Sequence, residues 1–368
     1  MKIVMFGHKS IPSRAGGVEV VVEELSARMA AMGHTVTCYN RSPGSAQKIH
    51  RGIRLKTVPT IRGKGLSAVS SSFFAAVRAS FSDADVCHIH AEGPAFMSFL
   101  PKLFGKRVVV TVHGLDWQRE KWNSGFGMRY IRWGEKMAVR FADEMIVLNR
   151  ELQQYFLETY GRKTRLIPNG VVKPTPVLPR QIRAQFGLQR GGYLLYLGRL
   201  VPEKGVHELI EAFAKVRTEK KLVIAGASSD TDDYVRALKK QASRDERIIF
   251  TGFVQGEILE ELYSNAYCYV LPSHLEGMPL SLLEAMSYGN CCLVSDIPAC
   301  SDVVEDWGIT FPARDVGALQ DVLQKLCDDE AFVRSYQGGA ADFICGKYNW
   351  NQVTLETLEL YHENFARP

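Results

Sequence analysis

The sequence predicts an α/β protein of two doubly wound domains, each a parallel sheet with helices on both faces. Three observations carry that prediction. Short β-branched runs alternate with helix-period stretches, which is the pattern of strands buried between helical layers. The pattern runs through the first half of the chain and then starts again. Between the two halves lies Lys173–Arg180, with three prolines in six residues; this cannot be helix interior and reads as a linker.

In the first half the predicted strands are Lys2–Phe6, Thr35–Asn40, Arg54–Val58, Val86–His90, Arg107–Val112, Glu144–Leu148 and Thr164–Ile167. Val18–Met32 and Tyr130–Phe141 show helical period between them. In the second half the strands are Tyr193–Leu197, Lys221–Ala225, Ile248–Thr251, Cys268–Leu271 and Cys291–Ser295. The helices between them are Glu208–Thr218, Asp232–Ser243, Glu257–Ser264 and Pro279–Tyr288. The expected division is a first domain over 1–172, a linker over 173–180 and a second domain over 181–348.

The 368 residues are enough for two domains, and 46% hydrophobic with 23% charged residues is ordinary globular composition. No apolar run approaches the roughly 18 residues of a membrane span. The opening MKIVMFG lacks a basic segment followed by a longer apolar one, so no secretory leader and a cytoplasmic location are expected. Cys38, Cys87, Cys268, Cys291, Cys292, Cys300, Cys327 and Cys345 form no C-x-x-C pair, and most sit in apolar stretches. Reduced, buried thiols are therefore expected rather than a zinc site or a disulfide scaffold.

Charge is unevenly spread. Residues 1–175 hold 26 basic and 13 acidic side chains, a balance of +13; the remainder holds 19 basic and 27 acidic, a balance of −8. A basic first half fits an anionic partner, such as a phosphate-bearing ligand or an anionic membrane surface.

In doubly wound sheets ligands bind beyond the carboxyl ends of the strands, and there this sequence places its unusual residues. Gly198-Arg-Leu-Val-Pro-Glu-Lys-Gly205 follows a predicted strand; Arg199 as a planar fork and Lys204 as a point charge suit a diphosphate. Glu276-Gly-Met-Pro-Leu-Ser-Leu-Leu-Glu284 follows another, with Pro279 expected in the first helical turn. The amides around Gly277, Met278, Leu280 and Ser281 then favour an anion, while Glu276 and Glu284 are acceptors for paired hydroxyls. Arg14-Ala-Gly16-Gly17-Val-Glu19 opens the first helix, and its paired glycines allow close approach of a phosphate to the backbone. Finally, Thr111-Val-His113-Gly-Leu-Asp116-Trp117-Gln-Arg119-Glu-Lys121-Trp122 is a polar, aromatic strand end suited to sugar contact.

Together and in order, these motifs resemble the GT-B glycosyltransferases of the family 4 type, retaining nucleotide-sugar enzymes. The likeness covers nearly the whole chain and includes Thr-x-His-Gly at 111–114, Ile167-Pro-Asn-Gly170 and Gly252-Phe-Val254. The stretches from Ile11 to Gly17 and from His113 to Trp122 further resemble a bacterial surface-polysaccharide subgroup that includes rhamnosyltransferases. Many members of that subgroup read Asp-Gly-Leu-Glu-Trp where this chain has His113-Gly-Leu-Asp116-Trp117.

The resemblance implies two Rossmann-like domains facing each other across a cleft, with a C-terminal helix (349–368) crossing back to the first. It implies that Arg199 and Lys204 hold the donor diphosphate, Glu284 the ribose and Glu276 the donor sugar. Val254 would lie near the nucleobase, Gly16 and Gly17 would approach the phosphates, and His113 would contact the sugar near the reacting carbon. His113, Arg199, Lys204 and Glu276 form the expected catalytic set, with Gly277, Met278 and Leu280 lining the donor; Arg14, Asp116, Trp117 and Arg119 are candidates for the acceptor. The expected partners are a UDP-, GDP- or dTDP-linked sugar, a glycan or lipid-linked glycan acceptor and an anionic membrane surface, with no nucleic acid.

Two pairs of acidic residues, Asp83/Asp85 and Asp230/Asp232, have the D-x-D spacing that holds a divalent ion in other transferases. Their contexts, a residue just before a strand and a polar loop before a helix, favour turn and cap roles. No metal and no cofactor are therefore expected. Readings still open on the same fold are a nucleotide-sugar epimerase, a glycogen-synthase-like enzyme and a non-catalytic nucleotide-sugar binding protein.

Overall fold

The computed structural model describes residues 1–41, 47–63, 65–118, 125–229 and 231–362. Contacts divide the chain into two compact units, Met1–Asn169 with Trp350–Pro368, and Gly170–Asn349.

The first unit holds an eight-stranded sheet. Its strands are β1 (Lys2–Phe6), β2 (Thr35–Asn40), β3 (Ile49–His50), β4 (Ile53–Thr57), β5 (Val86–His90), β6 (Arg107–Val112), β7 (Glu144–Val147) and β8 (Arg165–Leu166). The order is β3-β4-β2-β1-β5-β6-β7-β8. All pairs are parallel except β3–β4, an antiparallel edge that the sequence reading missed. It closes through Arg51 and Gly52, both at positive φ (48° and 81°), the geometry of a tight two-residue hairpin turn.

Alternation sorts the central strands. Cys87 and Ile89 of β5 and Val108, Val110 and Val112 of β6 enter one apolar core. The helix Leu66–Ser80 covers part of it and is not among the elements the sequence predicts. Its serines satisfy themselves within the helix: Ser70 Oγ donates to Leu66 O (2.8 Å), Ser72 Oγ to Ala68 O (2.7 Å) and Ser80 Oγ to Ala76 O (2.8 Å).

The C-terminal helix Trp350–His362 belongs to this first unit. It packs on the helix Gly17–Ala31, takes a hydrogen bond from Arg107 Nε to Leu360 O (2.8 Å), and places Tyr361 Oη 2.6 Å from His88 Nδ1.

The second unit holds six parallel strands: β9 (Tyr193–Leu197), β10 (Lys221–Ala225), β11 (Ile248–Gly252), β12 (Cys268–Leu271), β13 (Cys291–Ser295) and β14 (Ile309–Phe311). Their order is β11-β10-β9-β12-β13-β14, so the winding reverses between β9 and β12. The proline-rich run 173–180 is docked on this unit. Val177 N donates to Ser264 Oγ (3.0 Å), and the buried Glu261 carboxylate accepts from the backbone of Arg180, Gln181 and Ile182. All eight cysteines are free thiols, six of them buried. No helix among the described residues is long and apolar enough to cross a membrane.

Candidate active site

In the second unit the predicted residues gather at the carboxyl ends of β9, β11 and β12. The reversal between β9 and β12 leaves a crevice that no crossover helix covers, the usual ligand position in such sheets. The loop after β9 carries Arg199 and Lys204, and the loop after β12 carries Glu276. Lys204 Nζ and Glu276 Oε1 form an ion pair, so the structure brings two predicted residues from separate loops into direct contact. The loops are stitched a second time by His274 N donating to Glu203 O (2.8 Å), and His274 Nε2 lies 2.7 Å from Glu208 Oε2 in the helix Val206–Phe213 that follows the first loop.

Gly205 explains why the β9 loop can lie so close. It sits at φ +65°, and a Cβ there would fall 2.1 Å from Pro272 O. The backbone at Arg199 is held by the buried Tyr196 hydroxyl, which donates to its carbonyl (2.9 Å).

The helix after Glu276 spans Leu280–Ser287. Pro279 lies just outside it rather than in its first turn: at ψ 109° it is extended, and its carbonyl is the first helical acceptor, for Leu282 N (3.1 Å). Leu282, Leu283, Ala285 and Met286 are fully buried. The opposite side of the helix keeps Glu284 half-buried, with Oε2 accepting from Tyr263 Oη (3.1 Å). Met278 and Val254 are buried, and Gly277 and Leu280 are half-buried. Val254 follows β11 at the sheet edge, two strands from β9.

In the first unit the reversal falls between β1 and β5. Gly16 is the N-cap of Gly17–Ala31 and offers no capping side chain. Glu19, in the first turn, folds back to accept from Lys9 N (2.8 Å); a Cβ on Gly16 would lie 2.4 Å from its Oε2. Arg14 is exposed.

His113 follows β6, and Nδ1 of His90, the last residue of β5, lies 3.1 Å from its Nε2. In the β5–β6 register His90 faces Thr111, so His88, His90, Thr111 and His113 share one face of the sheet, opposite the apolar core. Burial keeps His88 neutral, its ionisation pushed down to about 3, and holds His90 well below the ordinary histidine range.

Beneath the next residues lies a buried carboxyl pair. Glu92 Oε2 accepts from Asp116 N (2.8 Å). Glu135 accepts from Trp117 Nε1 (3.2 Å), Tyr155 Oη (2.9 Å) and Tyr160 Oη. Burial, the Asp116 charge and the hydrogen bond with Glu135 raise the Glu92 carboxyl well above its ordinary range. Trp117 is thus held by Glu135, with Arg132 over its ring at 4.8 Å. Arg119, like Lys121 and Trp122, lies outside the described residues.

Sequence reasoning missed His88, His90, Glu92 and Glu135. A signal was present for the histidines: two of them, two apart, in an otherwise apolar strand, which places both on one face. Glu92 and Glu135 carry no such signal, since nothing in either local pattern announces that the two meet.

The D-x-D candidates have other partners. Asp83 pairs with Lys2 Nζ (2.6 Å), and Asp85 accepts from Lys2 N (2.8 Å). Asp232 stands in a first helical turn, and Asp230 lies outside the described residues. Among the described residues no group of three or more His, Cys, Asp or Glu could hold a metal ion.

Two doubly wound units, each with charged and glycine-rich loops at its strand ends, define a GT-B nucleotide-sugar transferase. Two family models match the chain in order: "Glycosyltransferase Family 4" over residues 15–172 and "Glycosyl transferases group 1" over 180–341. The chain belongs to these glycosyltransferases. It is 27% identical to a glycogen synthase of Mycobacterium tuberculosis, over 98% of this chain and 94% of that one. It is 30% identical to O-antigen chain mannosyltransferase B of Escherichia coli, over 53% of this chain and 51% of that one. Among solved structures, Anabaena HepE in complex with UDP-glucose superposes with a TM-score of 0.82 at 18% identity, covering 98% of both chains. Neither a rhamnosyltransferase subgroup nor a surface-polysaccharide role follows from these matches.

Proposed function

We propose that this retaining transferase moves a hexosyl group from a nucleotide diphosphate sugar to a hydroxyl of a lipid-linked glycan, in the building of a cell-surface polysaccharide. The observation that carries the donor half is the Lys204–Glu276 ion pair at the winding reversal of the second sheet, with Arg199 on the same loop as Lys204. A diphosphate replaces part of the lysine's carboxylate partner with its own oxygens. Lys204 still has donors for both, because an ammonium carries three.

As the glycosidic bond breaks, the sugar gains oxocarbenium character and charge grows on the diphosphate. In this reading Arg199 and Lys204 meet that charge as cations, which lowers the barrier more than it lowers the ground state. The acceptor hydroxyl then attacks the face the phosphate leaves, and the phosphate takes its proton. In this reading Glu284 binds the ribose hydroxyls, Glu276 and His113 serve the donor sugar, Val254 lies by the base, and Gly16 and Gly17 approach the phosphates. UDP-glucose is the ligand of one structural relative and O-antigen the substrate class in the name of one sequence relative, which supports this choice of donor and acceptor class.

The acceptor half rests on the first unit's surface. The helix Phe126–Phe141 buries Ile131, Gly134, Glu135 and Ala138 and turns Arg129, Arg132, Trp133, Lys136 and Arg140 outward. Such a face suits anionic lipid, where a lipid-linked acceptor resides. The test is a thermal-shift panel of UDP-, GDP- and dTDP-sugars, followed by transfer assays with the stabilising donor. A donor at 100 times its Kd raises stability by about 2.7 kcal/mol. No shift with any nucleotide sugar would overturn the reading, and a donor epimerised without acceptor, rather than hydrolysed to free sugar and nucleoside diphosphate, would make the protein an epimerase.

A further inference from the structure

We propose that His90 is a positioning residue whose Nδ1–H donates to His113 Nε2 and thereby fixes His113 in the tautomer protonated at Nδ1. His90 is fully buried, and its Nδ1 lies 3.1 Å from His113 Nε2. Its other nitrogen, Nε2, is buried without a hydrogen-bond partner among the described residues.

A neutral imidazole has one N–H and one lone pair. Burial, reinforced by the neighbouring His88, His113 and His8, keeps His90 neutral. A proton on Nε2 would make a buried N–H with no acceptor, the rarer and costlier orphan; a lone pair there costs less. The proton therefore sits on Nδ1. Two facing nitrogens cannot both carry hydrogen, so His113 Nε2 is the acceptor and His113 holds its own proton on Nδ1.

The ring plane of His90 is fixed as well. His88 stacks beneath it with centroids 4.2 Å apart and 28° between planes. His88 is clamped in turn by Tyr361 Oη on Nδ1 (2.6 Å) and Thr111 Oγ1 on Nε2 (2.7 Å). A column of three imidazoles thus runs from the C-terminal helix to the end of β6, and its last member is a candidate catalytic residue. The importance of the tautomer for transfer rests on the reading of His113 given above; the tautomer itself does not.

The test is a long-range proton–nitrogen correlation spectrum of the full-length, 15N-labelled protein, with His113 assigned by its loss in His113→Gln. The expected result is a protonated Nδ1 and a bare Nε2 on His113. His90→Phe should release His113 into a mixture of tautomers and lower kcat about tenfold, the worth of one hydrogen bond, with donor KM little changed. His90→Asn, whose amide N–H can replace the Nδ1–H, should restore both. A wild-type His113 protonated at Nε2 would overturn the proposal, and that spectrum decides it even if His90→Phe does not fold. An unchanged His113 tautomer in a folded His90→Phe would overturn it too. A tautomer that behaves as stated, with transfer unaffected by His90→Phe, would uphold the positioning and remove His113 from the reaction.

Discussion

Lys204 and Glu276 form an ion pair that ties the loop after β9 to the loop after β12, with only 12% and 8% of their side chains exposed. Removing one partner of a pair this buried leaves the other charge stranded, at a cost of about 3 kcal/mol. Lys204→Ala is therefore expected to abolish transfer and also to lower the melting temperature. Adding Glu276→Gln should regain most of the stability, because the stranded charge is gone, and none of the activity. Calorimetry beside a transfer assay checks this. A double variant no more stable than Lys204→Ala would mean that the pair does not bind the loops together.

The buried Glu92 carboxyl makes stability depend on pH. Its ionisation is raised well above the ordinary value of 4.5, so the folded state binds a proton that the unfolded state has lost. Stability must then fall as pH climbs from about 4.5 toward the folded value, by about 1.4 kcal/mol per unit for one proton. Glu92 Oε1, buried without a donor to accept from, fits the protonated oxygen, an O–H that can donate to Glu135. Glu92→Gln keeps an acceptor for Asp116 N and a donor for Glu135 without needing that proton. It should match wild type near pH 4.5 and exceed it increasingly as pH rises toward the folded value. Parallel stability–pH curves for the two proteins would show that Glu92 does not carry the proton.

Transfer should persist undiminished in excess chelator. Asp83 and Asp85 are engaged with Lys2 through its ammonium and its backbone N–H, and Asp232 stands in a helix first turn. In the proposed mechanism Arg199 and Lys204 supply the cationic charge. Activity lost in EDTA and regained with magnesium or manganese would assign that charge to an ion.

The central strands were legible because each is a short apolar run buried on both sides, and the strand-end motifs because they break such runs abruptly. What stayed hidden depended on contacts that the apolar period does not record, some local and some between residues distant in sequence. The serine-rich helix 66–80 looks like loop until each hydroxyl finds a carbonyl one turn back. The β3–β4 hairpin is too short to show a period. Glu92 and Glu135 meet only because helix 126–141 crosses helix 92–95 closely: a Cβ on Gly134 would fall 2.0 Å from Glu92 O. Trp117 shows the same limit, since its sequence offers a stacking ring while its indole N–H is held by Glu135.

The outward face of helix 126–141 gives the membrane reading its test. Arg129, Lys136 and Arg140 are exposed there, with Phe126 and Trp133 70% and 48% exposed and in edge contact at 6.5 Å. Large exposed aromatics among cations are costly in water and favourable at a lipid headgroup boundary. Beside this helix, Leu103 and Phe104 are also exposed, and Phe104 meets Phe81 edge-on at 4.6 Å. The protein should therefore sediment with vesicles containing anionic lipid, stay in solution with neutral ones, and be released by salt as the attraction is screened. Each basic residue at such a surface adds about 1 kcal/mol, so reversing Arg129, Lys136 and Arg140 to Glu should weaken binding at least about a hundredfold. Arg132 is left in place because it lies over Trp117. Donor affinity should not change, which separates a lost surface from a damaged fold. Phe126→Ser with Trp133→Ser should weaken partition while leaving its salt dependence intact, because that term carries no charge. Equal partition to neutral and anionic vesicles, or none at low salt, would defeat the lipid surface and make a soluble acceptor the better substrate for the same donor site.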